Sequence, residues 1–446
     1  MAALESWGRF PRAEGQERHA LQWRTDPLPA PDGRTLLPYG RGRSYGDSCL
    51  NAGGALISTE ALDRFISFDP STGVLACEAG VTLEEILRLV TWQGWFLPVT
   101  PGTKFVTVGG AIANDVHGKN HHRAGTFGRH VRRFELLRSD GQRLLCSPTE
   151  NAEWYRATIG GLGLTGLVVW AEVQLRRISN PYILNETVPL RNLDEFFELS
   201  RASDKDYEYT VAWVDCLKTG KKVGQGLFYR GNHAPPQFDA VPLLKSHLSR
   251  SRGLVVPFDM PGWVMNPLSV RAFAFLYYHR HHLMPAEQLV HYDPFFYPLD
   301  GVHGWNRAYG KRGMLQYQCV VPFEQGDGAI RAILEEIGKS GLGSLLSVLK
   351  TFGDVPSPGM MSFPRPGVTL AVDFANAGKK THALFARLDK MTRDFGGALY
   401  PAKDALMSPE GFATYFPQRE AFARYIDPAF SSSFWRRVNG ATATKP

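Results

Sequence analysis

The sequence predicts an α+β chain: a first α+β part, a second part built on an antiparallel sheet backed by helices, and a short closing segment. Three observations predict it. Over residues 54–80 short apolar runs alternate with turn residues, and an amphipathic helix with a capping signature follows at once. After Ser179-Asn180-Pro181 the strands lengthen and become more aromatic, and helical stretches alternate with them. At 446 residues the chain is about three times a typical ~150-residue domain, ample for two or three domains.

Taken in order, 55–59 and 74–78 read as strands. Thr82 and Glu85 are spaced to cap each other's backbone N–H groups, Leu83, Ile86, Leu87 and Val90 share one helical face, and Gly94 stops the helix. Residues 98–118 are Gly-rich and irregular. A hairpin turns about Ser139-Asp140-Gly141 within 131–146, a helix is expected over 151–159 and a strand over 167–175. The run Gly161-Leu162-Gly163-Leu164-Thr165-Gly166 matches GxGxxG, but a helical segment precedes it and a strand follows. A dinucleotide fold needs the reverse order, so this run reads as a tight helix-to-strand turn. The second part offers strands at 207–214, 314–321, 345–352 and 369–374 and helices at 325–339 and 380–395. Residues 253–300 are rich in Pro and aromatics with weak periodicity, and a strand and helices close the chain over 398–446.

Net charge is +7, with pI near 9.1, which suits anionic ligands. The basic runs, 129–133 and 279–282, are short, so a nucleic-acid partner is not expected. No uninterrupted apolar stretch reaches the length of a membrane span. The first residues lack the basic start and apolar core of a signal peptide, and the five cysteines contain no CxxC pair. A cytoplasmic protein with free thiols is the expectation. There is no GxSxG, and Gly118-Lys119 is followed by Asn120, so no Walker A loop exists. His117 and His121 have metal-ligand spacing, but Gly118 between them disfavours a helix and no HExxH forms, so no metal is expected.

Four stretches carry candidate chemistry. Tyr39, Gly40, Arg41, Gly42, Arg43, Ser44, Tyr45, Gly46, Asp47 and Ser48 form a loop of small residues with two arginines and two hydroxyls. It reads either as a phosphate cradle, with backbone N–H groups open to a ligand, or as an ordinary surface turn. The run 101–122, rich in Gly and Ala with polar residues between, suits backbone wrapped against a large flat ligand. Lys350 lies in an apolar strand and Lys403 follows one. Lysine is rarely buried alone, so each reads as structural taken singly and as part of a polar pocket taken together. Gln316 and Gln318 flank Tyr317 and point to one face by the two-residue period.

The first two of these stretches, with Pro101-Gly102-Thr103, Val108-Gly109-Gly110-Ala111-Ile112-Ala113, His117-Gly118 and Gly161 to Gly166 at their spacing, resemble the vanillyl-alcohol-oxidase (PCMH-type) family of FAD-binding oxidoreductases. The run 108–122 together with Leu315-Gln316-Tyr317-Gln318, Leu349-Lys350-Thr351, Ser362-Phe363-Pro364 and Tyr400-Pro401-Ala402-Lys403-Asp404 is similar to the decaprenylphosphoryl-β-D-ribose oxidase branch of that family. The resemblance implies a two-domain fold: an FAD-binding domain over 1–180 completed by 398–446, and a substrate domain over 181–397. It implies that Tyr39 to Ser48 hold the pyrophosphate. Gly102, Thr107, Val108, Gly109, Gly110, Asn114, Asp115 and His117 would wrap the flavin, and Tyr400 would touch it. Lys403, Lys350, Gln318, Gln316, His117 and Tyr45 would face the substrate, with Lys119 near.

Two departures matter. Covalent relatives often carry a histidine before the serine of the first loop. Here Arg43 stands there, so FAD is expected to be non-covalent. Mycobacterial-type relatives carry a cysteine in the strand that here has Ala371, so inhibitors that react with that thiol should not attach. The implied chemistry moves a hydride from a carbinol carbon to FAD while the hydroxyl loses its proton. Lys403 could orient or deprotonate that hydroxyl. A free lysine has a pKa near ~10.4, so it would need burial or a cationic neighbour to act as base. His117 is an alternative relay, and a purely electrostatic Lys403 is a third role.

The segment 253–300, with Trp263, Phe273, Phe275, Leu276, Tyr277 and Tyr278, reads either as a flap sheltering a polyprenyl chain or touching a membrane's inner face, or as core. The leading expectation is oxidation of the 2′-hydroxyl of a polyprenyl-phosphate ribose, with a separate NAD(P)H-dependent short-chain reductase completing an epimerisation to arabinose. The alternatives are an alditol or aldonolactone oxidase and a flavin protein without catalysis.

Overall fold

Strand pairing divides the chain into an α+β arrangement of three main sheets, seen in a computed structural model that describes residues 4–238 and 253–440. Residues 1–3, 239–252 and 441–446, which the ranges 1–180, 181–397 and 398–446 include, lie outside the described residues. Near the N-terminus Glu17–Ala20, Ala55–Ser58 and Leu36–Tyr39 form a parallel sheet with Ala55–Ser58 in the middle. That central strand is buried on both faces, as a parallel strand must be. Beside it stands a five-stranded antiparallel sheet in the order Phe65–Asp69, Val74–Glu78, Leu167–Gln174, Val131–Leu137, Arg143–Cys146. The helix Leu83–Val90 packs its apolar face inward. Its N-terminus is closed as the sequence predicts: the Glu85 N–H donates to Thr82 Oγ1 (3.3 Å) and the Thr82 N–H to Glu85 Oε2 (2.7 Å).

The third sheet has eight strands, in the order Glu287–His291, Tyr182–Leu190, Gly226–His233, Tyr209–Val214, Ser347–Phe352, Gly367–Ala375, Met314–Val321, Ala398–Leu399. The helices Leu193–Ser203, Phe323–Ser340 and Lys379–Asp394 cover one face. The buried Ile330, Ile333, Leu334, Ile337, Leu384 and Leu388 form part of the largest apolar core. The other face stays free of helices over most of its width and forms a cavity wall. After Ala398–Leu399 the chain returns to the parallel sheet, where Ser431 N–H donates to Leu36 O and Leu36 N–H to Ala429 O.

Among the elements beyond the sequence expectations, three shape the cavity. Tyr182–Leu190 and Gly226–His233 are strands of the eight-stranded sheet, and Pro267–His279 is a helix inside the irregular 253–300 stretch. That helix starts well, with Asn266 as N-cap and Pro267 in its first turn. Its period is hidden because apolar residues lie all round it: Val270 and Ala274 are buried, while Leu268, Phe275 and Leu276 face out. Among the described residues no helix is long and apolar enough to cross a membrane.

Candidate active site

The Gly-rich loop leaves the strand Leu36–Tyr39 and runs against two other segments at van der Waals limits. A Cβ on Gly46 would lie 1.6 Å from Asp404 O, so only glycine lets the loop meet the chain around Lys403. Tyr45 N–H donates to Ala402 O at 2.9 Å, locking the contact. Arg43 is sandwiched between Trp7 and Phe105, its guanidinium carbon 4.3 and 5.1 Å from the ring centroids. Its Nε has no partner among the described residues, and burial lowers its pKa. Gly40, Arg41, Gly42, Arg43, Ser44, Tyr45 and Ser48 line one large cavity of about 1110 Å³.

Not every loop residue faces that cavity. The Asp47 carboxylate accepts two hydrogen bonds from Arg437 (2.9 and 2.7 Å), and Arg437 also reaches Asp404 at 2.9 Å, so Asp47 clamps the C-terminal helix Ser433–Val438 to the loop. Tyr39 points the other way, its hydroxyl donating to Glu5 O at 2.8 Å.

The second wall comes from 100–119. Thr107 caps the short helix Val108–Ala113, accepting from Gly110 N–H at 3.1 Å. Gly102, Thr107, Gly109, Gly110, Asn114 and His117 line the cavity, while Val108 is buried in the core behind it. Asp115 also sits behind the wall, fully buried. Its carboxylate accepts from Gly128 N–H (2.9 Å) and from the Ser357 and Ser362 hydroxyls, so its side chain ties the loop 355–363 to the site instead of lining it. Both acids were read from sequence as cofactor contacts. The structure uses their side chains as clamps because each has backbone or side-chain donors waiting on the side away from the cavity.

At one end the cavity is polar and cationic. Lys350 Nζ lies 3.1 Å from Gly118 O, to which it donates, and 3.1 Å from His117 Nδ1. His117 Nε2 lies 3.0 Å from the Gln318 amide. The three groups are coupled through the imidazole. A protonated Lys350 donates to Nδ1, which places the ring hydrogen on Nε2 and requires the Gln318 oxygen there. A neutral Lys350 either donates in the same way, leaving its lone pair free, or accepts from Nδ1–H, in which case Gln318 donates its N–H to Nε2. Burial, helped by Lys119 and Lys403, lowers Lys350 to about 7, and burial beside Lys350 holds His117 well below its usual value, so the ring stays neutral. Lys403 stands 3.7 Å over the Tyr45 ring and makes no ion pair among the described residues. Tyr400 closes this end, its hydroxyl donating to Asn114 O at 2.8 Å and its ring stacked on Phe363.

From this end the cavity runs across the open face of the eight-stranded sheet. Strand register places Gln318, Ala371, Val348, Trp213, Leu227 and Pro189 in one row, and all six line the cavity. Six adjacent strands make that row about 24 Å long at ~4.8 Å per spacing. Its far end is roofed by the helix Pro267–His279, whose Phe273 and Tyr277 lie 6.5 and 4.5 Å from the Trp213 ring. Lys119 lines the cavity between, donating to Phe295 O, and burial lowers it to about 7. The sequence reading missed this platform. Its strands are buried along most of their length or mix polar and apolar residues, and only register shows that one polar end continues into an apolar row.

The arrangement can bind a ligand with an anionic or hydroxylated head at the lysines and an apolar tail along the sheet. Residues 30–147 match the family model for an FAD binding domain. Over 418 residues, 91% of this chain and 89% of the relative, the sequence is 36% identical to decaprenylphosphoryl-β-D-ribose oxidase from Mycolicibacterium smegmatis. It is 33% identical to an uncharacterised protein of the mprA 5′ region from Streptomyces coelicolor, over 80% of this chain and all of that one. Identity to the D-arabinono-1,4-lactone oxidase of Yarrowia lipolytica is 25%, over 38% of this chain and 32% of that protein.

Proposed function

Because the chain belongs to the family of the decaprenylphosphoryl-β-D-ribose oxidase, FAD-dependent oxidoreductases acting on CH–OH donors, we propose that it oxidises the ribosyl 2′-hydroxyl of a polyprenylphosphoryl-β-D-ribose to the 2′-keto sugar. One observation carries this reading: a single cavity joins a cluster of three lysines and two glutamines to an apolar row five strands wide. A soluble alditol or lactone has no use for that row.

The residues present fit FAD. The Gly-rich loop offers close backbone approach, and Ser48 Oγ and Arg43 Nε are without partners among the described residues. They would hold the pyrophosphate, with Gly102, Thr107, Gly109, Gly110 and Asn114 bordering the ring system. When bound, FAD supplies the two-electron acceptor. The chain's own groups manage the proton: Lys350, lowered to about 7, is in part a neutral amine at neutral pH, and with its N–H groups donated to Gly118 O and His117 Nδ1 its one lone pair is free to accept the hydroxyl proton. Attachment is read as non-covalent. His117 has both ring nitrogens engaged, and burial pushes the cavity-lining Cys49 thiol up to about 12, so no thiolate is at hand. The keto product needs a hydride from elsewhere. The GxGxxG run of this chain is a helix-to-strand turn between Ala152–Thr158 and Leu167–Gln174, which supports a separate NAD(P)H-dependent reductase.

The test is anaerobic mixing of purified yellow protein with a short-chain polyprenylphosphoryl ribose, free alditols and aldonolactones. The ribose lipid is expected to bleach the flavin and the soluble sugars are not; bleaching by alditols alone would reverse the reading. Acid precipitation should release all flavin into the supernatant.

The roof also supports a peripheral membrane contact. Trp263, Leu276 and Leu283 are 74%, 70% and 87% exposed on the segment whose inner side lines the cavity. Leu268→Asp with Leu276→Asp should weaken cosedimentation with anionic vesicles by about tenfold or more, a loss of ~1.4 kcal/mol, while turnover of a water-soluble short-chain substrate is kept. Unchanged cosedimentation would end this part of the reading.

A further inference from the structure

The strand Gly367–Ala375 carries a fully buried acid that the proton path above does not use. Asp373 lies two residues beyond the cavity-lining Ala371, on the same face, and pairs across the sheet with Gln316. One carboxylate oxygen accepts the Gln316 amide N–H; the other has no partner among the described residues, and neither has the Gln316 amide oxygen. Gln316 is itself only 5% exposed. The Asp373 backbone N–H is held by Leu346 O and Ser344 Oγ, both at 3.2 Å, so the acid is fixed in place.

An amide whose N–H is committed to a carboxylate can present only its oxygen elsewhere. A buried carboxylate needs a cation to offset its desolvation; no cation lies within ion-pair distance of Asp373 among the described residues, and Lys403, held over the Tyr45 ring at 3.7 Å, is the cation whose field partly offsets it. We propose that Asp373 is a positioning residue acting through Gln316 and Lys403: it turns the Gln316 amide oxygen toward a substrate hydroxyl, and its negative charge keeps Lys403 an ammonium. Lys403 then works as a fixed cation facing the charge that develops during oxidation. The sugar bound is that of the function proposed above; the Asp373 role itself holds for any alcohol the site oxidises.

The electrostatics run in the same direction. Burial raises Asp373 and lowers Lys403, each toward neutrality, and each is pulled back by the other's charge. Asp373 is hydrogen-bonded to Gln316, and the titratable groups its charge acts on are Lys403, Tyr45 from the Gly-rich loop and Tyr309 from the turn Trp305–Tyr309. Lys403 lies over Tyr45, and Asp373, Lys350 and His117 are the charged or titratable groups within its field. Burial pushes both phenols far above their usual value, so they stay neutral, and His117 stays neutral from the other side. Lys350, lowered to about 7, and Asp373, raised by burial to about 7, share the acid limb; Lys403, which is lost as an ammonium when pH rises, sets the alkaline limb.

The experiment is the pH profile of flavin reduction in holoenzyme, read with any alcohol that the wild type oxidises, for wild type, Asp373→Asn and Asp373→Glu. Asparagine keeps the shape and an acceptor oxygen but removes the charge, so the alkaline limb should move to lower pH by about one unit or more. Glutamate keeps the charge but displaces the Gln316 amide, so the alkaline limb should stay while KM rises. A titration of the visible flavin spectrum in substrate-free holoenzyme should show the same downward shift in the asparagine variant. An alkaline limb unmoved in Asp373→Asn, with kcat lower at all pH values, would reduce Asp373 to packing. An alkaline limb that stays put while the acid limb moves down by about one unit or more, beyond the loss of Asp373's own titration, would make Lys403 the base and overturn the proposal. Wild type that oxidises alditols but not the ribose lipid would end the substrate reading and leave this test intact.

Discussion

Lys403→Met lowers the rate of flavin reduction by about 10²–10³-fold, ~2.7–4 kcal/mol of transition-state stabilisation, the range found when one preorganised charge or donor is removed from a closed site. Methionine matches the length and apolar stem of the lysine. Lys403 makes no ion pair within bonding distance among the described residues, and its Nζ rests on the Tyr45 ring at 3.7 Å, so the substitution breaks no direct hydrogen bond; it removes the cation that offsets Asp373, which then takes up a proton, and the flavin should be retained. KM should change little, because an ammonium that acts mainly on developing charge adds more to the transition state than to the ground state. The pH profile gives the sign. Burial lowers Lys403, so the wild type loses this ammonium, and rate, as pH rises past its depressed pKa. In the variant that alkaline limb should vanish. Stopped-flow reduction across the pH range measures both. A variant that keeps full rate would remove Lys403 from the chemistry.

Lys403 and Lys350 were legible as candidates because a lysine beside an apolar run is anomalous in any sequence, and the glutamine pair because a two-residue period needs no structure to read. Asp373 was not. It lies near the end of the strand read over 369–374, where an acid looks solvated, and only the pairing with Gln316 shows it inside. At Asp47 and Asp115 the side chains turn away from the cavity. A loop pattern says which backbone comes near a ligand, but the direction of each side chain depends on partners far along the chain, here Arg437, Ser357 and Ser362. The α+β class followed from local periodicity. The sheet's full width did not, because the strands Tyr182–Leu190 and Gly226–His233 mix polar and apolar residues on both faces. One face of each meets helices and the other meets a cavity, so neither shows the simple alternation of a core strand against water.

That width sets the second large effect. If the apolar row from Ala371 to Pro189 holds the lipid, kcat/KM should climb with chain length over the first isoprene units and then level off once the row is covered. Ligands of this size gain about 0.3 kcal/mol per heavy atom, so each five-carbon unit contributes ~1.5 kcal/mol, about tenfold, and three units about a thousandfold. Trp213 is the broadest wall residue of the row, braced by Tyr277 at 4.5 Å and by its indole N–H donating to Leu345 O at 3.1 Å. Trp213→Ala should flatten the climb while leaving the rate with the shortest chain nearly unchanged, since that chain ends before the tryptophan. Wild-type and variant series on mono- to pentaprenyl phosphoryl ribose separate the two contributions. A chain-length dependence as steep in the variant as in the wild type would place the lipid elsewhere, and a flat wild-type series would mean that the row is not a lipid site at all. Burial of a flexible chain against a preformed row also predicts that the gain lies in slower release, because association is limited by entry past the roof helix and not by the length of the tail.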